Sequence, residues 1–442
     1  MTFSTTDSAQ FPHLPEKPTR RRYLRLSAAL AAPYFVPSSS LGLAGAIAPS
    51  ERITLGCIGL GIHGMGWNLR DGFLKFDDAR VLAVCDVANS RTEEARRLVN
   101  KRYANDDCAT HADWREVVQR DDIDAVVIST PDHWHTPMAA AAAKAGKDVC
   151  CEKPTLTIAE GRALIAIIRD NNTVFQTSTE DRSIATYHRL AELVRNGRIG
   201  TLQTIRVTLP PGSVAPEPPK PAPVPAGFDY NMWLGPAPEA PYCSNRCGAQ
   251  QWRSIFDYSG GKFTDWGAHL LDTAQWANDT ERIGPVWVEG KGEFPGKESL
   301  YDAAINYRLH YKYANGVDLI VESGGTGIRC EGTDGWIESP AWRRPLSASS
   351  PSILESVIGP EETHLYTCPA GEHRNFLDCV RTRRDPYFPV EIGHAVSTLM
   401  HIGNISMRLG RRLDWDPQAE AFANDDAANA MRSRTMREPW TL

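Results

Sequence analysis

The tetrapeptide Cys151-Glu152-Lys153-Pro154 places a lysine between a carboxylate and a proline, directly after an apolar, strand-like run. Lysines are mostly exposed and mobile, whereas the backbone of this one is restricted by the following proline. A held ammonium group can donate a hydrogen bond to an oxygen on which negative charge develops. We therefore predict that Lys153 is catalytic, and we expect the Lys153–Pro154 peptide bond to be cis.

Asp265 and His269 form a second candidate pair, in a segment predicted to be helical from about Phe263 to Trp276. A spacing of four residues places both side chains on one helix face, with Cβ atoms about 6 Å apart. An imidazole suits proton transfer near neutral pH, and a neighbouring carboxylate can fix its tautomer. An ordinary surface pair has the same spacing. A zinc site with Asp272 as third ligand is another alternative, although no other ligand-rich segment completes it.

The segment Gly59-Leu60-Gly61-Ile62-His63-Gly64 follows an apolar run and precedes a stretch with helical spacing. In a strand–turn–helix unit, the first glycine permits the tight turn and the second lets a pyrophosphate approach the backbone. The third lets the helix pack on the strand, and the helix N-terminus attracts the anion. The segment predicts a dinucleotide site, although the glycine pattern alone also occurs in turns that bind no ligand.

Asp86 ends the next predicted strand, Val81–Cys85, and lies 22 residues after Gly64. An acidic residue at this distance accepts hydrogen bonds from the ribose hydroxyls and repels a 2′-phosphate. The position therefore favours NAD over NADP, and the alternative is that Asp86 caps the following helix.

Apolar runs alternate with helical segments over residues 51–175, which is typical of a parallel sheet with helices on both faces. The chain from Thr130 to His135 is predicted to be a loop at the carboxyl end of the strand 125–129. Ligands bind at such ends in open parallel sheets. The pattern predicts an N-terminal Rossmann dinucleotide-binding domain in an α/β protein.

Five strand candidates separated by short turns follow between residues 285 and 338, which indicates antiparallel pairing. We predict a C-terminal α+β domain at 176–415 with a large, mostly antiparallel open sheet, and a wrapping tail at 416–442. Residues 210–225 contain eight prolines. They form either an arm across a neighbouring subunit or a stiff surface loop.

The composition is that of a soluble globular chain long enough for two domains, with 442 residues, 42% hydrophobic and 23% charged. A net charge of -6 gives no reason to expect a nucleic-acid partner. Beyond the N-terminal segment, no apolar run approaches the ~20 residues that a membrane span needs. Cys243 and Cys247 lie close enough in sequence to form a disulfide in an oxidising compartment.

Residues 1–48 are predicted to be a twin-arginine signal. The run Thr19-Arg20-Arg21-Arg22-Tyr23-Leu24-Arg25 precedes an apolar stretch at 26–36 and small residues with Ala44-Gly45-Ala46 as a cleavage candidate. A disordered basic tail is the alternative. Twin-arginine export carries folded proteins to the periplasm, so a cofactor would be bound beforehand. The sequence leaves open whether the signal is removed or stays as an anchor.

In combination, these motifs resemble the glucose–fructose oxidoreductase / inositol dehydrogenase / MocA (Gfo/Idh/MocA) family over residues 51–415. The glycine loop, Thr130-Pro131 with His135, Cys151-Glu152-Lys153-Pro154, and Asp265 with His269 carry the resemblance. The segments at 232–238 and 436–440 resemble a twin-arginine-exported branch. Residues 176–183 depart from the family pattern, because they contain the acidic pair Glu180-Asp181.

The resemblance implies that Lys153 hydrogen-bonds the reacting hydroxyl, while His269 accepts its proton with support from Asp265. It implies a carbohydrate substrate and a homodimer or homotetramer formed through the C-terminal sheet. The predicted cofactor-binding residues are Gly59, Gly61, Ile62, His63, Gly64, Asp86, Ser129, Thr130, His135, Glu152 and Lys153. Arg182, Trp252 and Tyr258 are candidates for substrate binding, and no resident metal is expected.

The leading hypothesis is an NAD-dependent oxidoreductase acting on a hydroxyl of a sugar, glycoside or cyclitol, with hydride transfer to tightly bound nicotinamide. The first alternative is a redox-neutral glycosidase that works by transient oxidation, elimination and re-reduction. The second is a sugar- or nucleotide-binding protein without catalysis. The sequence does not identify the sugar or the carbon that is oxidised.

Overall fold

Six parallel strands form the first sheet of the computed structural model, which describes residues 47–215 and 218–442. In the sheet their order is β3-β2-β1-β4-β5-β6. The strands are β1 (Ile53–Ile58), β2 (Ala79–Cys85), β3 (Ala109–His111), β4 (Ala125–Ile128), β5 (Asp148–Glu152) and β6 (Phe175–Ser178). This order is that of a doubly wound dinucleotide-binding sheet, so the carboxyl ends of β1 and β4 flank a crevice suited to a ligand.

Helices cover both faces of this sheet, which is why the strands read as almost continuous apolar runs. The helices in this part are α1 (Gly64–Arg70), α2 (Asn89–Tyr103), α3 (Trp114–Val118), α4 (Asp132–Lys144) and α5 (Ile158–Asp170). The turns of α1 are π-helical. Because α4 begins at Asp132, only Thr130 and Pro131 form the loop that the sequence predicted to extend to His135.

The second sheet has nine strands in the order β13-β12-β11-β7-β10-β9-β8-β14-β15. Among the described strands of this second sheet, only β7 and β10 pair in parallel, so the sheet is mostly antiparallel as predicted. The strands are β7 (Leu202–Leu209), β8 (Trp287–Glu293), β9 (Asn306–Lys312), β10 (Asp318–Ser323), β11 (Ile328–Gly332), β12 (Trp336–Ser339), β13 (Ser347–Ala348), β14 (Leu413–Asp416) and β15 (Ala421–Phe422). The predicted fold class is therefore confirmed.

One face of the nine-stranded sheet packs against helices, and the other carries charged side chains such as Arg308 and Glu322. The remaining helices are α6 (Ala185–Arg195), α7 (Tyr230–Leu234), α8 (Ser244–Cys247), α9 (Lys262–Ala277), α10 (Pro351–Glu355), α11 (Glu372–Thr382), α12 (Val390–Leu409) and α13 (Asp426–Ala430). The central helix α9 is buried along most of its length. It thereby fixes Asp265 and His269 rigidly.

The helix α11 packs into the core of the first sheet, although it follows β7 to β13 in the chain. Phe376 and Leu377 join the apolar cluster around β1 and β2, and the rings of Phe73 and Phe376 meet edge to face at 6.1 Å. Arg374 donates to both carboxylate oxygens of Asp78 at 2.9 Å. The two sheets are therefore joined by packed side chains as well as by the covalent chain.

The chain divides into units at residues 1–51 and 52–442, and the described part of the first contains only a short 3-10 helix, Pro49–Glu51. The twin-arginine run lies outside the described residues. No helix within the described ranges has the length and apolarity needed to cross a membrane. All ten cysteines are free thiols, including Cys243 and Cys247, and the Lys153–Pro154 bond is cis, as expected.

Candidate active site

A cavity of about 410 Å³ opens where the carboxyl ends of the parallel strands face α9. Most of the predicted site residues line it, namely Gly59, Gly61, Ile62, His63, Asp86, Ser129, Thr130, His135, Glu152, Lys153, Trp252, Asp265 and His269. Three predicted residues do not line it: Gly64, Arg182 and Tyr258. The cavity therefore unites the glycine loop with the residues predicted to be catalytic.

The three glycines of the loop have distinct surroundings. Gly59 has a φ of +86°, and a Cβ there would lie 2.6 Å from the carbonyl carbon of Ser129. A Cβ on Gly64 would lie 2.1 Å from the carbonyl oxygen of Gly59. A Cβ on Gly61 would meet nothing within 4 Å and would project into open space. Gly59 and Gly64 therefore allow close packing, whereas Gly61 leaves room for a ligand beside the backbone.

Asp86 is buried at the end of β2, and backbone groups bind both of its carboxylate oxygens. Leu60 N donates to Oδ2 at 2.7 Å, and Ala88 N donates to Oδ1 at 2.9 Å. Burial raises the pKa of this carboxyl, and Arg91, 3.7 Å away, opposes that shift. Asp86 thus ties the glycine loop to β2 at the cavity wall, and Arg91 brings a cation beside it.

The loop after β4 contributes an unpaired hydroxyl. Thr130 Oγ1 is buried and has no hydrogen-bond partner among the described residues. His135 fixes the loop, because Nδ1 lies 2.8 Å from the carbonyl oxygen of Pro154 and Nε2 lies 2.9 Å from that of Thr130. Its two ring nitrogens are therefore engaged by the backbone, and His135 holds the loops after β4 and β5 together.

Glu152 binds His63 of the glycine loop and Asn68 of α1. Its Oε1 lies 3.0 Å from His63 Nε2 and accepts from Asn68 Nδ2 at 2.9 Å. Burial disfavours ionisation of Glu152, but His63, Lys153 and the hydrogen bonds outweigh it and hold its pKa well below the usual range. Glu152 in turn raises the pKa of His63. This pair links β5 to the glycine loop next to Lys153.

Lys153 reaches across the cavity to α9. Its Nζ donates to the backbone oxygen of Asp265 at 2.7 Å and lies 3.4 Å from Asp265 Oδ1. Two further cations bind the same carboxylate, Arg253 Nε at 3.1 Å and Lys262 Nζ at 2.9 Å. Burial opposes ionisation, but these three cations hold the pKa of Asp265 far below its usual range.

His269 takes its partner from outside α9, which corrects the predicted support by Asp265. Its Nδ1 contacts Asp181 Oδ2 and lies 3.2 Å from Thr179 Oγ1. Asp181 is fully buried, and Trp342 Nε1 donates to its other oxygen at 3.0 Å. Burial opposes ionisation, but His269 and these hydrogen bonds lower the pKa of Asp181. His269 Nε2 has no partner among the described residues.

Indole rings form the cavity wall around His269. Trp266 and Trp342 meet edge to face at 5.3 Å, and each centroid lies about 6 Å from that of His269. Trp252 lies beneath Arg253, with the guanidinium carbon 4.3 Å from its ring centroid. Flat apolar faces of this kind suit the C–H faces of a sugar ring, while the charged groups suit its hydroxyls.

Arg182 and Tyr258 were predicted to bind the substrate, but neither lines the cavity. The Arg182 fork donates two bonds of 2.7 Å to Asp272 and is buried between Trp276 and Phe388. Tyr258 is fully buried, and its hydroxyl accepts from Arg246 at 3.0 Å. Both residues stabilise the walls behind the cavity.

The zinc alternative with Asp272 does not agree with this geometry, because Arg182 takes both oxygens of Asp272. Ligand atoms of Glu180, Asp181 and His269 do lie within 4.8 Å of one another. However, Glu180 already accepts from Arg343 at 2.5 Å and Asp181 from Trp342. These groups are satisfied by the protein itself.

The nucleotide side of the cavity fits the dinucleotide that its loop predicts. Gly61 leaves open space next to the backbone, and Thr130 Oγ1 is a buried polar atom without a partner. Buried polar atoms normally have partners, so an orphaned hydroxyl in a cavity wall indicates a ligand group. The residues present are those that would hold the pyrophosphate and the nicotinamide half of NAD.

The chain matches two family models. One, "Oxidoreductase family, C-terminal alpha/beta domain", covers residues 214–442, and the other, "Oxidoreductase family, NAD-binding Rossmann fold", covers residues 53–179. The first alone spans more than half of the sequence. The chain therefore belongs to the Gfo/Idh/MocA family of NAD-dependent oxidoreductases, and the predicted family and cofactor are confirmed.

Curated relatives are similar over parts of the chain. A glycosyl hydrolase family 109 protein of Stenotrophomonas maltophilia is 34% identical over 30% of this chain and 29% of its own. Levoglucosan dehydrogenase of Pseudarthrobacter phenanthrenivorans is 30% identical over 36% of this chain and 41% of its own. Myo-inositol 2-dehydrogenase of Thermotoga maritima is 30% identical over 57% of this chain and 63% of its own. The matches thus span less than two thirds of each relative.

Solved structures share the fold. The aldose-aldose oxidoreductase from Caulobacter crescentus, complexed with glycerol, superposes with a TM-score of 0.61 at 18% identity. The superposition covers 82% of this chain and 99% of the other. The likeness extends over both sheets and supports the architecture described above.

Sequence reasoning missed the residues that complete the second half of the site. Lys262 lies three residues before Asp265, so helical spacing could have indicated it. Asp181 stood out only as part of an acidic pair that departs from the family pattern. Trp342 gave no signal, because it follows β12 in a loop far from any motif. Contacts between distant segments brought Trp342 to the cavity wall and Asp181 to His269 behind it.

Proposed function

We propose that this protein oxidises a CH–OH group of a sugar, glycoside or cyclitol with NAD, and that Lys153 and His269 act on the hydroxyl. The observation that carries the proposal is that both side chains line one cavity with the glycine loop. Oxidation of an alcohol needs a base for the O–H proton and a positive group for the oxygen. These two residues supply them.

The geometry gives each residue a distinct role. Asp181 accepts a hydrogen bond from His269 Nδ1–H and so fixes the tautomer of the ring. The lone pair is then on Nε2, which can take the hydroxyl proton in the cavity. The buried carboxylate stabilises the imidazolium that then forms. Lys153 Nζ donates a hydrogen bond to the same oxygen as negative charge develops on it. When bound, NAD supplies the acceptor for the hydride that leaves the carbon.

Asp265 positions Lys153 and does not act as a base in this proposal. Its carboxylate is bound by three cations, which keep it ionised. A carboxylate with a pKa far below the usual range is a poor proton acceptor. It anchors the Lys153 ammonium at the point where the substrate oxygen must come.

The residues that would hold NAD are those of the nucleotide side of the cavity. Gly61 gives the pyrophosphate access to the loop backbone, Asp86 faces the ribose, and Thr130 offers its free hydroxyl. The carboxylate favours NAD over NADP, although Arg91 next to it reduces that preference.

Substrate class is supported by the names of the relatives. Levoglucosan dehydrogenase and myo-inositol 2-dehydrogenase act, by their names, on a sugar derivative and a cyclitol. The indole walls next to His269 suit a ring of this kind.

Export by the twin-arginine pathway is part of the proposal, supported by the run at 19–25. Assembly into a homodimer or homotetramer through the nine-stranded sheet is also part of it.

A purified sample with its bound dinucleotide tests the main proposal. We expect NAD to be released on denaturation and identified by mass spectrometry. We also expect at least one sugar or cyclitol of a panel to change the absorbance of the bound nicotinamide. A protein that neither carries nor binds NAD would contradict the proposal. One that binds NAD and sugars without any redox change would instead be a binding protein.

The second candidate function is a redox-neutral glycosidase, favoured by the similarity to glycosyl hydrolase family 109 proteins. Incubation with aryl glycosides separates the two candidates, because both the released phenol and the redox state of the nicotinamide can be followed. Release of phenol without net reduction supports the glycosidase. Net reduction without phenol supports the dehydrogenase.

A further inference from the structure

The carboxylate of Asp265 is bound by more cations than it can neutralise. Lys153 and Arg253 approach Oδ1, and Lys262 approaches Oδ2, all within 3.4 Å. The cluster of Asp265 with these three residues, which we call the cation cluster, therefore has a net charge of +2. Like charges held this close repel one another unless an anion compensates them.

Most other carboxylates near the cavity are engaged elsewhere. Glu180 pairs with Arg343, Glu152 with His63, and Asp181, behind the wall, with His269. Asp132 also lines the cavity and accepts a hydrogen bond from Ser259 Oγ, and burial raises its pKa, so it offsets the charge of Arg253 only in part. A net positive charge therefore remains at Arg253 and Lys262.

Arg253 and Lys262 retain donors that could bind a ligand. Arg253 uses Nε on Asp265, and its Nη2 has no partner among the described residues. Lys262 Nζ makes one hydrogen bond there, to Asp265, so two of its N–H groups stay free. Both side chains are about one-fifth exposed and line the cavity. Trp252 supports the guanidinium from below.

We propose that the sugar accepted by this cavity carries an anionic group, a carboxylate or a phosphate, which is bound by Arg253 and Lys262. The inference rests on the proposed function, because it assigns a charge to the same substrate. A guanidinium and an ammonium on one side of a partly buried pocket match an oxyanion in charge and in donor geometry. Lys153 stays free to act on the reacting hydroxyl.

A competing explanation is that Arg253 and Lys262 only hold Asp265 in place. The two explanations differ in what a substitution changes. If the cations only support Asp265, Arg253→Gln lowers kcat for every substrate by the same factor. If they bind the substrate, the variant raises the Kd and KM for anionic sugars by a larger factor than those for neutral sugars.

Calorimetric titration of the NAD-loaded full chain with three probes of matched ring tests the inference: glucose, glucuronate and glucose 6-phosphate, with the galacto series in parallel. We expect at least one anionic sugar to bind about tenfold more tightly than its neutral counterpart. Higher salt should weaken that binding. The identity of the preferred probe distinguishes a carboxylate from a phosphate.

Substitutions of Arg253 and Lys262 test whether these side chains cause the preference for anionic sugars. Arg253→Gln and, independently, Lys262→Gln should each reduce the ratio of anionic to neutral affinity about tenfold. The control Arg308→Gln removes the same charge from an exposed residue of β9 and should leave the ratio unchanged. A ratio that survives both pocket substitutions overturns the assignment of these residues.

The outcomes separate this inference from the proposed function. Neutral sugars that bind as tightly as anionic ones and reduce the nicotinamide overturn the inference and leave the oxidoreductase intact. Anionic sugars that bind preferentially without redox change support the inference and contradict the oxidoreductase. Absence of binding by every probe overturns the inference.

Discussion

Asp265, which lines the cavity, and Asp181, which is fully buried behind its wall, differ in the charge of their partners. Asp265 is bound by two lysines and an arginine. Asp181 is bound by one imidazole and by the neutral donors Thr179 and Trp342. Folding lowers the pKa of both carboxyls, yet only Asp181 is coupled to a group that can gain and lose a proton in the working range.

In the proposed function, the residues that take the hydroxyl proton and those that bind the developing oxyanion are therefore separate. Asp265 and His269 share a helix, and the sequence spacing suggested that they work together. In the structure, Asp265 faces the cations, and Asp181 holds His269. The predictions below test that division, beginning with the largest expected effect.

Replacement of Lys153 by alanine should abolish most turnover while leaving the nucleotide side intact. We expect kcat to fall about 10³-fold, because the substrate oxygen loses its charged donor. Asp265 keeps two cations, so the fold should persist. Steady-state kinetics on an identified sugar and an NAD titration check this, with Lys144→Ala on α4 as the control. A variant that retains most of its kcat would refute the role of Lys153.

Replacement of Asp265 by asparagine should mainly cost stability. Three cations would lose their counter-charge, and we expect the free energy of unfolding to fall by about 3 kcal/mol at pH 7. Because folding lowers the pKa of Asp265, its contribution is complete above the unfolded pKa of about 4 and declines as pH falls below it. Urea unfolding between pH 7 and pH 3 should therefore show the difference from wild type narrowing.

The exposed residue Asp414 provides the control for that measurement, since Asp414→Asn removes the same charge without unpairing a buried cluster. A constant difference between wild type and Asp265→Asn across the pH range would contradict the electrostatic explanation. It would point to altered packing of α9 instead.

Replacement of Asp181 by asparagine should affect catalysis more than binding. The imidazolium of His269 would lose its buried counter-charge, and we expect kcat to fall about 30-fold with KM and NAD affinity nearly unchanged. Rescue of kcat by Asp181→Glu would support a charge effect. If instead Asp181→Asn kept its kcat, the division between the two aspartates would be wrong.

Replacement of Trp342 by phenylalanine should give the smallest effect. The ring wall remains, but Asp181 loses the donor to Oδ1. A hydrogen bond to a charged group contributes about 1.5–3 kcal/mol, of which we expect about 1 kcal/mol to appear in the reaction barrier. We expect a threefold to tenfold loss of kcat. Trp336→Phe on the sheet surface is the matched control. Equal losses in both variants would show that the indole N–H of Trp342 has no specific role.

The first half of the molecule was predictable because its signals are local. The glycine loop, the strand that ends at Asp86, and Glu152-Lys153-Pro154 each lie within a few residues of the element that positions them. Apolar runs buried on both faces gave the positions of β2 and β4 to within two residues, whereas the short β3, which has no such run, was not predicted. Parallel topology then brought their carboxyl ends together at one edge.

The second half of the site could not be read in the same way. Asp181 and His269 are 88 residues apart in the chain and meet because the 3-10 turn after β6, Asp181–Ser183, packs against α9. Arg182 was predicted to face the substrate, but Asp272, one turn beyond His269 on α9, offered it a buried partner instead. Helical spacing shows which residues share a face, and it does not show which neighbour each residue binds.

The position of α11 has a consequence for how the protein is made. Phe376 and Leu377 of α11 belong to the apolar core around β1 and β2, but α11 is synthesised only after β7 to β13. Domains usually fold in the order of synthesis, with the N-terminal one first. In this protein, the core of the nucleotide-binding half is incomplete until α11 has been synthesised. We therefore expect NAD to bind only after most of the chain has been synthesised.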